Sequence, residues 1–365
     1  MNNIRKEAKI KMKVTNVFKV IITVLLVITF TVSMISCKEA PVVGEQVEEQ
    51  QIEEKGEVTI PSETKEETTA TPVTPLPTTE QQWQEVTTSA PNALWDVDFV
   101  NNNVGWVVGY DGFIAKSTDG GARWITQTSG TSTELRDVDF VSEQYGWIAG
   151  INGVILHTSD GGTTWQSQTH NSVWWTSVAF VDENRGWVAG DYGIIEATTN
   201  GGANWAQQYQ HPQELDWWGL FFYDTNNGWA VGQSGAIAHT SDGGLNWSLQ
   251  SSDTSQNLRD IFAVSASKVW VVGDAGTILY TSNGGASWTA QISRTTQDLI
   301  GIHFFTESNG IAVGPSGTVL ETTDGGVTWA KQSFPTTGYL SEIAATDSSH
   351  RWIVSGKSVY QWYYQ

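Results

Sequence analysis

The 365-residue sequence contains little cysteine and few basic residues. Its single cysteine, Cys37, excludes a disulfide framework and a cysteine metal site. Lysine and arginine total 19 against 39 acidic residues, and from residue 91 onward the counts are ten and 26, a net charge of −16. This balance argues against nucleic-acid binding, because neutralising phosphates requires a basic surface.

The sequence also lacks common catalytic and nucleotide-binding motifs. It has no GxxxxGK[ST] loop and no strand-to-helix GxGxxG unit. Its six histidines are scattered, and His157 and His239 hold equivalent positions of a repeat instead of forming a metal cluster. No pair of carboxylates stands out by spacing as a glycosidase pair. We therefore expect a protein that is not an enzyme and holds no metal or cofactor.

A long apolar run of transmembrane length is missing as well. Residues 20–32 form the apolar run nearest the start, and they are shorter than the roughly 20 residues of a spanning helix. Their length suits a signal-peptide core, and Met34, Ile35, Ser36 and Cys37 follow in an order that resembles a bacterial lipobox. We predict a lipoprotein signal peptide over residues 1–36, with lipidation at Cys37. An incidental cysteine after an uncleaved anchor is the alternative.

Two questions about this segment stay open at the sequence level. Translation starts at Met1 or Met12, and the second choice gives a signal peptide of ordinary length. The lipid is held by either the inner or the outer membrane. In each case we expect the chain that follows to be extracytoplasmic, on the periplasmic side or at the cell surface of a bacterium.

Residues 37–80 are predicted to be a disordered tether. They are rich in Glu, Thr and Pro and poor in aromatic residues, so they cannot bury enough apolar surface to order themselves. Pro72, Pro75 and Pro77 stiffen the far end of this segment. The tether would give the following domain reach from the membrane surface.

An eight-residue signature organises the rest of the chain. It first reads STDGGARW over residues 117–124 and returns five times, so that its last residues are spaced by 41, 40, 42, 41 and 41 positions. Such a regular period indicates an array of one supersecondary unit. These closing residues are Trp124, Trp165, Trp205, Trp247, Trp288 and Trp329.

Each unit of about 40 residues reads as four short strands. In residues 135–168 the runs LRDVDF, GWIAG, GVILHT and TTWQSQ are bounded by turn residues, and Gly150 and Gly153 are expected at positive φ. Four antiparallel strands at this period are typical of a propeller blade. First strands begin at Leu94, Leu135, Trp175, Trp217, Leu258, Leu299 and Leu340, which gives seven units.

The seventh unit ends before a fourth strand. The run around Trp83, QQWQEVTT, matches the fourth-strand run TTWQSQTH around Trp165. We therefore predict an all-β, seven-bladed β-propeller over residues 81–365, whose four-stranded antiparallel blades are closed by the N-terminal strand completing the last blade.

The signature resembles the Asp-box, or BNR repeat, of sialidases and many non-enzymatic propellers. With the GW that opens the second strand, the repeat is similar to the photosystem II stability and assembly factor family of propellers, over about residues 80–365. The resemblance implies a blade construction and, for that family, a protein-binding role with an arginine-rich surface. A sialidase would have an RIP motif and three converging arginines, and no RIP motif is present.

We interpret the box residues as structural. An Asp or Asn side chain can accept hydrogen bonds from its own turn, and the swap to Asn in two copies keeps that acceptor while removing the charge a metal or catalytic site would need. The box acceptors are Asp119, Asp160, Asn200, Asp242, Asn283 and Asp324, each followed by the box tryptophan given above.

Candidate binding residues gather at one end of the predicted ring. First strands of a propeller line the axis, so residues at their entry and in the turn after the second strand should surround one mouth of the central channel. Aromatic rings with carboxylates suit a sugar or a peptide, whereas the alternative is that they plug the channel. These residues are Trp95, Tyr110, Asp111, Arg136, Trp174, Trp175, Asp191, Tyr192, Trp217, Trp218, Arg259 and Asp274.

Arg136 and Arg259 have two interpretations. They occupy matching LRD contexts and would be remnants of the arginine-rich surface, or each pairs with its neighbour, Asp137 or Asp260. The other five blades carry Trp, Thr, Trp, Ile and Ser at this position.

The sequence thus predicts a lipid-anchored, monomeric, non-enzymatic binding or assembly module for a protein partner or membrane complex. The alternative is a surface lipoprotein that binds or hydrolyses glycans through the same mouth.

Overall fold

The computed structural model describes residues 81–364. The predicted signal peptide, the lipidation site at Cys37 and the tether lie outside the described residues. Within residues 81–364 there is no α-helix, and no helix there is long and apolar enough to cross a membrane.

The described chain forms seven four-stranded antiparallel sheets, as predicted. The blades comprise β2 (Leu94–Phe99), β3 (Gly105–Gly109), β4 (Ile114–Ser117) and β5 (Ile125–Gln127); β6 (Leu135–Phe140), β7 (Gly146–Gly150), β8 (Ile155–Thr158) and β9 (Gln166–Ser167); β10 (Trp175–Phe180), β11 (Gly186–Gly190), β12 (Ile194–Thr198) and β13 (Ala206–Gln210); β14 (Trp217–Phe222), β15 (Gly228–Gly232), β16 (Ile237–Thr240) and β17 (Ser248–Gln250). The remaining three comprise β18 (Leu258–Ala263), β19 (Val269–Gly273), β20 (Thr277–Thr281) and β21 (Thr289–Ala290); β22 (Gly301–Phe304), β23 (Gly310–Gly314), β24 (Thr318–Thr322) and β25 (Ala330–Lys331); and β26 (Leu340–Asp347), β27 (His350–Ser355) and β28 (Ser358–Tyr364) with β1 (Gln81–Thr87).

The N-terminal strand completes the seventh blade. β1 pairs antiparallel with β28 over its whole length, and Trp83 lies opposite Trp362. The Trp83 side chain is buried in a cluster with Ile311 and Ile353, so it joins blade six to blade seven. The prediction of closure by chain from the opposite terminus is confirmed, and the ring has no open seam between its first and last blades.

Three local predictions differ from the structure. Gly153 has the predicted positive φ, at 77°, whereas Gly150 is extended at φ −161° and the other positive φ of the turn is that of Asn152. Gly150 is required for a different reason, because a Cβ there would lie 2.4 Å from the carbonyl oxygen of Glu134. The sixth first strand begins at Gly301, two residues after Leu299. The fourth strand of blade two spans only Gln166–Ser167.

A tryptophan near the start of the second strand links each blade to the next in six of the seven interfaces. The Trp147 indole, for example, stacks on Phe180 of blade three at 3.5 Å, and its Nε1 donates to Gly201 O in that blade's box. Trp352 does the same from blade seven to Gly120 of blade one, across the ring closure. The other indole donors of this kind are Trp106, Trp187, Trp229 and Trp270.

The interface between blades six and seven lacks this bond because blade six has Ile311 at the tryptophan position and blade seven has no box. Trp83, Tyr360 and the partly buried Trp362 and Phe334 fill that interface instead. The N-terminal strand therefore supplies packing that the repeat itself does not provide.

The box acceptors are engaged within their own turns. Asp160 Oδ1 accepts from the Thr164 amide at 2.9 Å and from the Thr158 hydroxyl at 2.9 Å. Asn200 makes the same contacts with Asn204 and Thr198, so the amide keeps the geometry of the carboxylate. The box tryptophans meet a first-strand phenylalanine edge to face in five blades, at centroid distances of 5.8–6.0 Å. These hydrogen bonds and ring contacts fasten the turn to the blade.

Candidate functional site

The first strands of the seven blades form a closed ring around a central channel. Each first strand contacts the next around the circle, and β26 contacts β2 to complete it. A cavity of about 800 Å³ runs along the channel, from Asp191 beside a turn that joins second and third strands to Ala345 toward the other end of the first strands. The box turns lie at the opposite ends of the antiparallel strands. We call the end of the channel beside the turns that join second and third strands the channel mouth.

In each of the two tryptophan pairs, Trp174–Trp175 and Trp217–Trp218, only one side chain faces the channel. Trp175 and Trp217 are fully buried between blades, and Trp217 Nε1 donates to Gly193 O at 2.8 Å. They are core residues, so their predicted role in contacting a ligand is wrong. Their neighbours Trp174 and Trp218 line the cavity. Trp218 follows Trp217 in β14, where successive strand residues point to opposite sides, whereas Trp174 lies just before β10. Trp174 is 45% exposed.

Two arginines at the mouth lie on indole rings. The Arg136 guanidinium lies 4.4 Å from the ring of Trp95, and that of Arg259 lies 4.1 Å from Trp218. Each forms an ion pair with a carboxylate, Arg136 with Glu134 at 2.7 Å and Arg259 with Asp274 at 2.6 Å. Both arginines are therefore stacked and neutralised.

This arrangement corrects the expected partners of the arginines. Asp137 and Asp260 are not their partners, because each of these carboxylates accepts a backbone amide of the next blade. Asp137 takes the Val178 amide and Asp260 takes the Ile302 amide, both at 2.7 Å.

The remaining predicted residues lie in the mouth turns. Tyr110 packs near Trp95 with ring centroids 5.5 Å apart, and Asp111 accepts from the Asn92 amide group. Tyr192 is 57% exposed. Asp191 lines the cavity and its carboxylate accepts no hydrogen bond from another described residue. Burial and the nearby Asp216 raise the pKa of Asp191, while Arg136 acts in the opposite direction.

Below the mouth, six acidic side chains that the sequence analysis missed line the channel. Several bind the exposed backbone edge of the next blade's first strand. Asp96 and Asp98 of blade one accept the amides of Val138 and Phe140 of blade two at 2.7 and 2.8 Å. The six axial carboxylates are Asp96, Asp98, Asp137, Asp139, Asp260 and Glu342.

Burial in the channel disfavours the charged form of these groups. It raises the pKa of Asp98 and of Asp260 to about 7, with the charge of Asp137 adding to the effect. The pKa values of Asp96, Asp139 and Glu342 are likewise raised, first by burial and then by neighbouring carboxylates. On the other side of the channel, burial lowers the pKa of His303 to about 4.

A signal for the axial carboxylates was present in the sequence. The runs LWDVDF and LRDVDF carry Asp at the third and fifth positions of a strand already predicted to line the axis. Which face of that strand points inward depends on a bulge between its first and third residues, as between Leu94 and Asp96. This irregularity shifts the alternation and is not visible from periodicity.

No group of three or more His, Cys, Asp or Glu side chains is arranged to hold a metal ion among residues 81–364. The mouth is therefore an aromatic and acidic cavity with two compensated arginines, which can stack against and hydrogen-bond a ligand.

A family model described as photosynthesis system II assembly factor YCF48 matches this chain three times. The matches span residues 76–172, 125–214 and 207–295, and together they cover more than half of the sequence. The chain belongs to this family. The overlapping YCF48 matches follow the repeated blades, in agreement with the resemblance carried by the box and GW motifs. A search of curated proteins gave no match.

Solved structures share the fold at low identity. A structure described as YCF48 bound to D1 peptide is 19% identical, with a TM-score of 0.66, covering 78% of this chain and 96% of that one. YCF48 from Cyanidioschyzon merolae gives the same identity and TM-score, with 78% and 98% covered. A glycoside hydrolase from Niastella koreensis, described as GH74, is 15% identical with a TM-score of 0.57 over 74% of this chain and 43% of that enzyme.

Proposed function

We propose that this protein is a non-enzymatic docking module that binds a polypeptide segment of a membrane-associated complex at its channel mouth. The observation that carries the proposal is the cavity of about 800 Å³ inside the closed ring, whose wall includes Trp95, Trp174 and Trp218 at the channel mouth. Exposed indoles offer a large contact area for an extended chain at low entropic cost. A family member of the same fold has been solved with a peptide bound.

The carboxylates of the protein support a binding role over a hydrolytic one. A glycosidase needs one carboxylic acid and one carboxylate free to act on the substrate. Here Asp96, Asp98, Asp137 and Asp260 accept backbone amides of a neighbouring blade, which commits them to holding the ring together. Glycan binding is the alternative, and it is an outcome of the first test below.

The first test replaces Trp174 with a photocrosslinking phenylalanine derivative in the native host. Trp174 lines the cavity, so illumination should attach a polypeptide to the protein at this position. The matched control places the same group at Leu245, which is 79% exposed in a box turn at the opposite end of the strands. Adducts to glycans only, or the same polypeptide adducts from both positions, would reject docking at the mouth.

We propose further that a lipid on Cys37 anchors the protein on the outer side of a bacterial membrane, with residues 38–80 as a tether and the propeller as a monomer. The Met-Ile-Ser-Cys sequence that follows an apolar run supports this. A Cys37→Ser variant should no longer incorporate labelled fatty acid. It should also leave the membrane fraction in a high-salt wash, because the acyl chains on Cys37 supply the membrane affinity. Full retention of Cys37→Ser in the membrane would contradict lipid anchoring.

A further inference from the structure

The mouth is acidic even after its arginines are counted. Six carboxylates occupy the residues that directly precede the leucine or tryptophan opening each blade, or form the turns after the second strands, against one cation, Lys357. Arg136 and Arg259 add two positive charges from the first strands, and each is paired with a carboxylate of this set. The six are Asp111, Glu134, Asp191, Asp216, Asp274 and Asp298.

The carboxylates left after this pairing are not equivalent. Asp216 is held in place, since its Oδ1 accepts the Tyr192 amide at 2.9 Å and its Oδ2 accepts from Gln233 at 2.7 Å. Asp298 is similarly held by the Ala275 amide at 2.9 Å. Asp191 lines the cavity without accepting a hydrogen bond from any described residue, and its charge interacts with that of Asp216. Asp191 is therefore the mouth carboxylate available to a ligand.

An indole completes this part of the mouth. Trp174 belongs to the same blade as Asp191 and lines the same cavity, and its Nε1 donates to Asn152 Oδ1 at 3.3 Å, which fixes the ring. The rings of Trp95 and Trp218 already carry guanidinium groups, whereas Trp174 is in none of the described cation–π pairs. An indole face beside a carboxylate favours an ammonium or guanidinium group.

We propose that the segment docked at the mouth is basic, and that a lysine or arginine side chain of the partner binds on Trp174 against Asp191 and Asp216. This inference rests on the proposed docking function and specifies its partner chemistry. The two arginines that would attract an acidic segment are compensated, so the charge complementarity of the mouth is with a cation.

The test uses the whole chain in detergent and an array of short N-acetylated, C-amidated peptides. The peptides form three sets that share the same varied sequence contexts. At the variable positions the first set carries Lys and Arg, the second Gln and the third Glu. We expect the basic set to bind best and its binding to weaken with added salt. Asp191→Asn should weaken binding of the basic peptides by about tenfold, as expected for loss of one charged hydrogen-bonding partner.

The matched control is Glu183→Gln. Glu183 is an exposed residue of the same blade, in the turn between β10 and β11 at the other end of the strands. Its substitution by Gln changes the net charge by the same amount as Asp191→Asn, but away from the mouth. Equal weakening by both variants would show attraction to overall charge and would overturn the specific site. Neither variant should melt below the wild type, because neither carboxylate accepts a hydrogen bond from a described residue and burial with the charge of Asp216 already disfavours the ionised form of Asp191.

Two further outcomes separate this inference from the proposed function. Preferred binding of the glutamate peptides, with loss in Arg259→Gln, would overturn the basic partner and leave docking at the mouth intact. Failure of all three sets to bind would overturn both. Preferred binding of the basic set that is lost only in Asp191→Asn would establish both.

Discussion

Deletion of Gln81–Thr87 is expected to cause a large loss of thermal stability, and Trp83→Ala is expected to cause a smaller loss. The deletion removes the fourth strand of blade seven and leaves β28 as an exposed edge. It also removes Trp83 from the cluster that fills the interface between blades six and seven, where no second-strand tryptophan donates a hydrogen bond to a box glycine. Trp83→Ala alone should lower the free energy of unfolding by about 3–5 kcal/mol, the usual cost of truncating a buried tryptophan.

Thermal and urea unfolding, followed by circular dichroism, would measure both effects. The control is Gln82→Ala, because Gln82 is an exposed residue of the same strand and its truncation should change stability by at most about 0.5 kcal/mol. An unchanged melting temperature after the deletion would contradict a closing role for β1. The deletion should additionally promote association of the protein, since an unpaired strand edge templates pairing with another chain.

The second large expected effect is a loss of stability as the pH rises from about 4 to about 8. Asp98 and Asp260 have pKa values of about 7 in the folded protein, above the ordinary value of 3.8. Between those values the folded state binds more protons than the unfolded state, so their contribution is full at low pH and is lost as pH rises through about 7. A shift of this size corresponds to about 4 kcal/mol for each group at 1.36 kcal/mol per pKa unit.

His303 works in the opposite direction over part of this range. Its pKa falls to about 4 from 6.5, so the unfolded state binds more protons in that interval and the His303 contribution grows as pH rises. The His303 contribution is complete only about one pH unit above the unfolded pKa of 6.5. Between about pH 4.5 and 7 two carboxylates oppose one imidazole, so the net decline over this interval is the diagnostic part of the profile.

Asp98→Asn is the variant that isolates the carboxylate. Its amide oxygen can still accept the Phe140 amide, as Asn200 and Asn283 do in the box turns. We expect it to match the wild type near pH 4 and to exceed its free energy of unfolding by about 4 kcal/mol near pH 8. Denaturant unfolding across the pH range measures this, with the exposed Glu183→Gln as the control. A wild-type stability that is flat or rising between about pH 4.5 and 7 would contradict the prediction.

The candidate site was only partly predictable. The position of Trp174, Trp218, Arg136 and Arg259 in the wall of the channel follows from their place in the repeat, which fixes the end of the blade at which each residue lies. Trp175 and Trp217 are adjacent in sequence to Trp174 and Trp218, yet both are buried between blades. A one-residue step along a strand reverses the side to which a side chain points, and periodicity at the level of whole blades does not resolve it.

The ion pairs of the mouth depended even more on tertiary structure. Arg259 is adjacent in sequence to Asp260, but its partner is Asp274 in the turn after the next strand. Asp260 is instead directed to the Ile302 amide of blade six, because an inner strand has one unpaired backbone edge and a carboxylate from the previous blade is in reach of it. Neighbours in sequence were therefore poor guides to neighbours in space.

The sequence alone determined the number of blades, their four strands and the closure by β1, because a repeat with a fixed period and a displaced fourth strand has one way to bury its faces. Tertiary structure decided the chemistry of the channel. The inner strands of four blades, each about 40 residues or more from the next, bring six carboxylates into one cavity, where burial changes their pKa values and backbone amides bind their oxygens. Those effects depend on distances across the ring, which no single blade contains.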